Sequence, residues 1–151
     1  MSGIDPEPMR RAIALARRNL GLTGDNPSVG CVIVRAGAIV GAAATAPGGR
    51  PHAEEQALQQ AAEQARGAVA YVTLEPCGAR SSGAASCSEL LVLAGVSRVV
   101  IACEDASPFA AGRGTERLLA AGMAVETGIL REEAASLYDE YVPPRGGSTP
   151  R

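Results

Sequence analysis

The chain has no tryptophan, one phenylalanine and three tyrosines, and all 14 of its basic residues are arginine, so it has no lysine. Without lysine there is no Schiff-base nucleophile and no P-loop, whose phosphate cradle ends in that residue. Aromatic residues make up only 3% of the chain, too few for the stacking platform that grips single-stranded nucleic acid. The formal charge of −2 denies it the basic surface on which binding to a phosphate backbone depends. No nucleic-acid partner is therefore expected. No run of about 18 apolar residues occurs, so no membrane-spanning helix is expected. The stretch from Met1 to Arg11 lacks the apolar core of a signal peptide. A cytoplasmic location follows as an expectation. There Cys31, Cys77, Cys87 and Cys103 stay reduced, as ligands, nucleophiles or core filler rather than disulfides.

What is present suits one folded domain. At 151 residues and 46% apolar content the chain is long enough to bury about two thirds of its unfolded surface. Asp5-Pro6 makes a helix start, followed by Met9, Ile13, Ala16 and Leu20 at helical spacing. The runs 29–34 and 38–44 read as strands joined by a turn at Arg35-Ala36-Gly37. A second helix is predicted from Pro51 to about Arg66, a strand over 68–74, a helix from Ser86-Cys87-Ser88-Glu89 to Gly95, and a strand over 96–102. A helix over 113–121, a short strand over 123–126 and a last helix over 130–141 complete the order. The alternation predicts an α/β fold of three layers (α/β/α). Its mixed five-stranded sheet carries helices on both faces, and its last strands are parallel because a helix connects them. Residues 1–142 are read as the domain and 143–151, rich in Pro and Gly, as a disordered tail.

The chemistry concentrates around the single histidine. His52-Ala53-Glu54 stands at a helix start, a strand later ends in Leu74-Glu75-Pro76-Cys77, and Cys87 opens another helix. One His and two Cys are the three protein ligands of a zinc ion whose fourth position is open to water. Helix starts favour thiolates. Glu54, two residues from His52, flanks that water as a general acid/base rather than a ligand. Zinc brings the water's pKa to about 7. The resulting hydroxide attacks an amidine-like ring carbon, Glu54 moves the proton to the ring nitrogen and the leaving amine, and ammonia departs. The competing reading is a chance pattern with two buried cysteines. Cys31 and Cys103 read as buried thiols.

His-x-Glu followed by Pro-Cys and a second Cys resembles the signature of zinc nucleobase deaminases. More closely, the chain resembles the pyrimidine deaminase domain of riboflavin biosynthesis, within the cytidine deaminase superfamily. The likeness runs from about Met9 to Leu137. It is carried by Asn26-Pro27-Ser28-Val29-Gly30-Cys31-Val32-Ile33-Val34, Pro51-His52-Ala53-Glu54, Ala70-Tyr71-Val72-Thr73-Leu74-Glu75-Pro76-Cys77 and Ala94-Gly95-Val96-Ser97-Arg98-Val99-Val100, with echoes at Asp105, Gly112-Arg113-Gly114 and Ala120 to Met123. The wide spacing of the two cysteines is similar to the riboflavin type. The resemblance implies Zn2+ on His52, Cys77 and Cys87, proton transfer by Glu54, and a substrate contact from Asn26, for which a turn before proline is the other reading. Ala53, Glu75, Thr45 and Arg80 fall at the substrate side. Glu75 either orients the site or bonds a loop backbone. The resemblance also implies a homodimer or homotetramer. The family's reductase domain has no counterpart here, so no nicotinamide cofactor is expected.

The departures concern the substrate. The family places histidines where this chain has Thr45 and Ala79, and its Gly-Arg-Thr-Pro-Pro before the second cysteine is replaced by Ser81 to Ser86. These are positions on the phosphoribosyl side, where Arg80 and Arg113 are the remaining candidates for a phosphate. The sequence therefore favours a small aminoheterocycle altered from the riboflavin intermediate. The alternatives are that intermediate itself, a catalytically silent zinc module, and a tRNA-acting deaminase. Glu54 argues against the silent module, and the acidic balance against tRNA.

Overall fold

Proline at position 6 sets the start of the first helix. The computed structural model describes residues 5–77, 86–104 and 112–139, and in it α1 spans Glu7–Arg18 with Pro6 at its cap. The Asp5 carboxylate accepts the Glu7 N–H at 3.0 Å, one of the donors that a helix start leaves without an intrahelical partner. Met9, Ala12, Ile13 and Ala16 form its buried face. Leu20 does not extend that face as expected. The chain leaves the helical path at Asn19, and Leu20 is 48% exposed.

Strands β1 (Gly30–Arg35) and β2 (Ala38–Ala44) pair antiparallel. Ala36 and Gly37 between them have φ of 51° and 80°, the left-handed pair that a two-residue hairpin turn requires. Helix α2 (Ala53–Ala61), β3 (Val69–Leu74), α3 (Cys87–Ala94), β4 (Arg98–Cys103), α4 (Arg113–Ala120), β5 (Ala124–Thr127) and α5 (Arg131–Ala135) follow. Two helices differ from expectation. The second begins at Ala53, with His52 as its cap, and stops at Ala61. Ala62 turns to a φ of 52° and the chain continues as a 3-10 turn over Ala62–Ala65. The last is a single turn and a half that tightens into a 3-10 turn over Ser136–Tyr138. Residues 140 and 141, expected to extend it, and the tail 143–151 lie outside the described residues.

The sheet order is β2-β1-β3-β4-β5. β1 runs antiparallel to both neighbours, and β3, β4 and β5 are parallel. Two glycines set the layers. A Cβ on Gly30 would lie 1.8 Å from the Ala12 carbonyl oxygen, so α1 rests directly on one face. Gly41 pairs with Ile33, whose side chain points to the other face because successive residues alternate. A Cβ there would lie 2.2 Å from the Ala57 carbonyl oxygen of α2. α5 joins α1, since Arg17 Nη2 donates to the Glu133 carbonyl at 3.0 Å. α3 packs beside α2, and α4 beside α3. The core between the layers is built from Ile33, Val72, Leu74, Ile101 and Leu91, all nearly or wholly buried. No helix among the described residues is long and apolar enough to cross a membrane.

Candidate active site

The carboxyl ends of β2 and β3 lie at the same edge of the sheet as the start of β1, as the pairs Gly30–Ala44 and Cys31–Val72 require. In open α/β sheets ligands bind outside the carboxyl ends of strands. Three chain segments meet there. His52 caps α2, its own N–H donating to Glu55 Oε1 at 2.9 Å. Gln56 Nε2 donates to the Ala44 carbonyl at 2.7 Å, which pins the start of α2 to the end of β2. Cys77 ends the limb that leaves β3. Cys87 is the first residue of α3, whose cap Ser86 accepts the Glu89 N–H.

The start of α3 holds Cys77 at three points. The Cys87 N–H donates to Cys77 Sγ at 3.2 Å. The Ser88 N–H and hydroxyl both donate to the Cys77 carbonyl, at 3.1 and 2.9 Å. His52 Nδ1 approaches Cys87 Sγ at 3.3 Å. The ligand atoms of His52, Cys77 and Cys87 all lie within 4.8 Å of one another, and all three residues are buried. Donors on one tetrahedral zinc stand about 3.5–3.8 Å apart, given bonds of about 2.0–2.3 Å. The cluster is of that size, and a nitrogen with two sulfurs is a zinc donor set. The three residues the sequence put forward as ligands are thus brought together, and they fit the metal.

Glu54 is fully buried, one residue into α2. Its charge reaches Cys31 on the β1 strand beneath. Burial, and after it the negative charge of Glu54, push the Cys31 thiol well above its ordinary pKa. Cys31 and Cys103 are both buried free thiols. The Cys103 thiol is also raised, mainly by burial, with the Arg131 cation opposing.

The residues expected on the substrate side have diverse settings. Asn26 Nδ2 donates to the Gly49 carbonyl at 2.9 Å, and its own carbonyl accepts the Thr23 hydroxyl at 2.6 Å. It therefore stitches the loop before β1 to the loop before His52. Thr45 is 1% exposed and its hydroxyl accepts the Val29 N–H at 2.9 Å. Ala53 is buried at the first position of α2. Glu75 is 1% exposed, and its two carboxylate oxygens accept the N–H groups of Gly112 and Thr115, each at 3.0 Å. Of the two readings of Glu75, this is a bond to backbone. Arg113 is the first residue of α4 and is exposed. Arg80, Ala79 and residues 81–85 lie outside the described residues, as does Asp105.

Ser88 and Glu55, which the sequence marks only as parts of helix starts, and Gln56 join the frame of the site. Ser88 had a signal, a buried-type helix start in Ser86-Cys87-Ser88-Glu89. Glu55 stands three residues after His52, the spacing of a capping box. Nothing local marks Gln56, whose partner Ala44 is 12 residues away.

Comparison with known proteins agrees with this geometry. Residues 4–103 match the family model described as the cytidine and deoxycytidylate deaminase zinc-binding region. The chain belongs to that family of hydrolytic, zinc-type deaminases. Within it, the chain is similar to the riboflavin biosynthesis protein RibD of Escherichia coli, at 48% identity over 134 residues, 89% of this chain and 36% of the relative. The structure of Acinetobacter baumannii RibD superposes with a TM-score of 0.86 at 48% identity, covering 90% of this chain and 38% of that one. The diaminohydroxyphosphoribosylaminopyrimidine deaminase/5-amino-6-(5-phosphoribosylamino)uracil reductase of Thermotoga maritima superposes with a TM-score of 0.80 at 37% identity, covering 87% and 38%. The chain thus spans well under half the length of these relatives.

Proposed function

We propose that this chain removes ammonia hydrolytically from the diaminohydroxyphosphoribosylaminopyrimidine of riboflavin formation. The observation that carries the reading is identity of 48% to a riboflavin protein across nine tenths of this chain. It weighs more than the substitutions at Thr45 and Ala79, from which an altered substrate was expected. His52, Cys77 and Cys87 would hold zinc, which supplies a water acidic enough to ionise near neutral pH. The other steps fall to the chain. Glu54, in a dry position two residues from the cap of α2, takes the proton of the attacking water. It delivers that proton to the ring nitrogen, and then carries the second water proton, from the new hydroxyl on the ring carbon, to the departing amine, so that the C–N bond breaks and water and an aminopyrimidine become a pyrimidinone and ammonia. Asn26 would hydrogen-bond the ring from the loop before β1, and Ala53, Thr45 and Arg80 would shape the same side.

A second reading, a small unphosphorylated aminoheterocycle, is favoured by one observation. The Thr45 hydroxyl is neutral, buried and engaged with the Val29 N–H. A histidine there would add a charge-assisted bond worth about 1.5–3 kcal/mol to a phosphate. The test is ammonia release from the phosphoribosyl pyrimidine and from its dephosphorylated form at equal enzyme. The phosphorylated compound should have the higher kcat/KM, by tenfold or more. Equal or better turnover of the dephosphorylated one would overturn the riboflavin reading in favour of the second.

We also propose that the protein is a cytoplasmic homodimer or homotetramer and that residues 1–142 are its deaminase domain. Leu93 on α3 and Leu119 on α4 are 73% and 55% exposed, which suits a covered surface. Light scattering at assay concentration checks this, and a monomeric mass would count against it.

A further inference from the structure

The limb Glu75-Pro76-Cys77 lies between two helix starts. One end is held by α3, through the Cys87 N–H on Cys77 Sγ and Ser88 on the Cys77 carbonyl. The other end is held by α4. Glu75 Oε1 accepts the Gly112 N–H and Oε2 the Thr115 N–H, both at 3.0 Å. Gly112 has no side chain to cap α4 and sits at a φ of 79°, so Glu75 supplies the cap from 37 residues away. The approach is close as well as bonded. A Cβ on Gly114 would lie 1.8 Å from the Pro76 carbonyl oxygen and 3.5 Å from Glu75 Cγ. The Glu75 N–H donates to the Cys103 carbonyl at 2.8 Å, which fixes the root of the limb to the end of β4. A buried carboxylate on two helix-start N–H groups is a charge-assisted, well-compensated arrangement. It leaves the limb little freedom.

We propose that Glu75 is a positioning residue for the metal centre, setting the place of Cys77 by clamping the limb to the start of α4. The role rests on the zinc reading of the site. Outer contacts of this kind hold a ligand in the geometry its metal requires, and their loss costs about 10–100-fold in metal affinity. Glu75→Gln keeps the shape but offers one acceptor where two N–H groups converge. Gly114→Ala strikes the same contact from the α4 side. Leu118→Ala, at a fully buried position of α4, loosens the helix without removing any of the hydrogen bonds that hold the limb.

The experiment measures zinc affinity by competition with a chelator, and the visible spectrum of the Co(II)-substituted protein, for wild type and the three variants. Circular dichroism and melting are followed in parallel. Glu75→Gln and Gly114→Ala should each weaken zinc binding about 10–100-fold and shift the Co(II)–thiolate bands. Leu118→Ala should lower the melting point while keeping the spectrum and an affinity within about threefold of wild type. Where Gly114→Ala fails to fold, Glu75→Gln, the isosteric change, decides. Wild-type affinity and spectrum in Glu75→Gln would overturn the role, as would an equal loss in Leu118→Ala. A wild-type protein that takes up neither zinc nor cobalt would overturn the site reading itself, and this role with it.

Discussion

Glu54 has no exposed surface and yet, on the proposed reaction, must take and release a proton. Such a group is replaceable in shape but not in chemistry. Glu54→Gln should retain fold and bound zinc, checked by circular dichroism and metal analysis, while turnover falls by about 10²–10⁴-fold or more. Turnover within tenfold of wild type would remove the role. Cys31, beneath it, makes the fold sensitive to alkali. Its thiol is held neutral by burial and by Glu54, so its pKa in the fold lies above its unfolded value. Stability from this group is intact below about pH 8.5 and falls as pH rises beyond it, because the unfolded chain then loses the proton first. Denaturant melts should show about 1 kcal/mol less loss between about pH 8.5 and 9.5 in Cys31→Ala than in wild type. Equal slopes would contradict the assignment. His52, Glu54, Cys77 and Cys87 could be picked out from the sequence because few residue types can bind zinc or carry a proton. Glu75 could not be resolved there, since its two partners are backbone N–H groups 37 and 40 residues away and backbone donors leave no trace in residue type.

At the scale of elements, apolar runs marked β1, β2, β3 and β4 within a residue or two, and Pro6 and Ser86 marked two helix starts. The break at Ala62 left no such mark. Gln59 to Ala65 is good helix material, and only the left-handed turn of one alanine ends the helix. Gly41 carries no mark either within the run 38–44 read as a strand, while in the fold it is where α2 meets the sheet. Gly41→Ala places a methyl 2.2 Å from the Ala57 carbonyl oxygen, and backbone cannot yield as a side-chain end can. The variant should lose about 1–3 kcal/mol or more in denaturant unfolding. Because α2 carries His52 and Glu54, its zinc affinity should fall too. A melt unchanged from wild type would show that α2 can slide without cost.

For the whole molecule, the three-layer arrangement and the parallel end of the sheet followed from the order of helices and strands. The lateral order did not, because nothing local tells β1 to insert between β2 and β3. That insertion brings residues 52, 77 and 87 to one edge. A metal held by three separate segments binds the folded chain and not the unfolded one, so it stabilises by mass action. Chelation should lower the melting temperature, and added zinc should restore it. Melting indifferent to both would mean that the segments are held together without the metal.

The hairpin turn at Ala36-Gly37 closes β1 and β2 at the end of the sheet remote from His52, where Val34 pairs with Val69. Both turn residues are exposed. That end can accept new sequence. A peptide tag or small reporter domain spliced between Ala36 and Gly37 should leave zinc affinity and turnover near those of the parent. The molecule thus has a natural handle for immobilisation that presents its reactive edge outward.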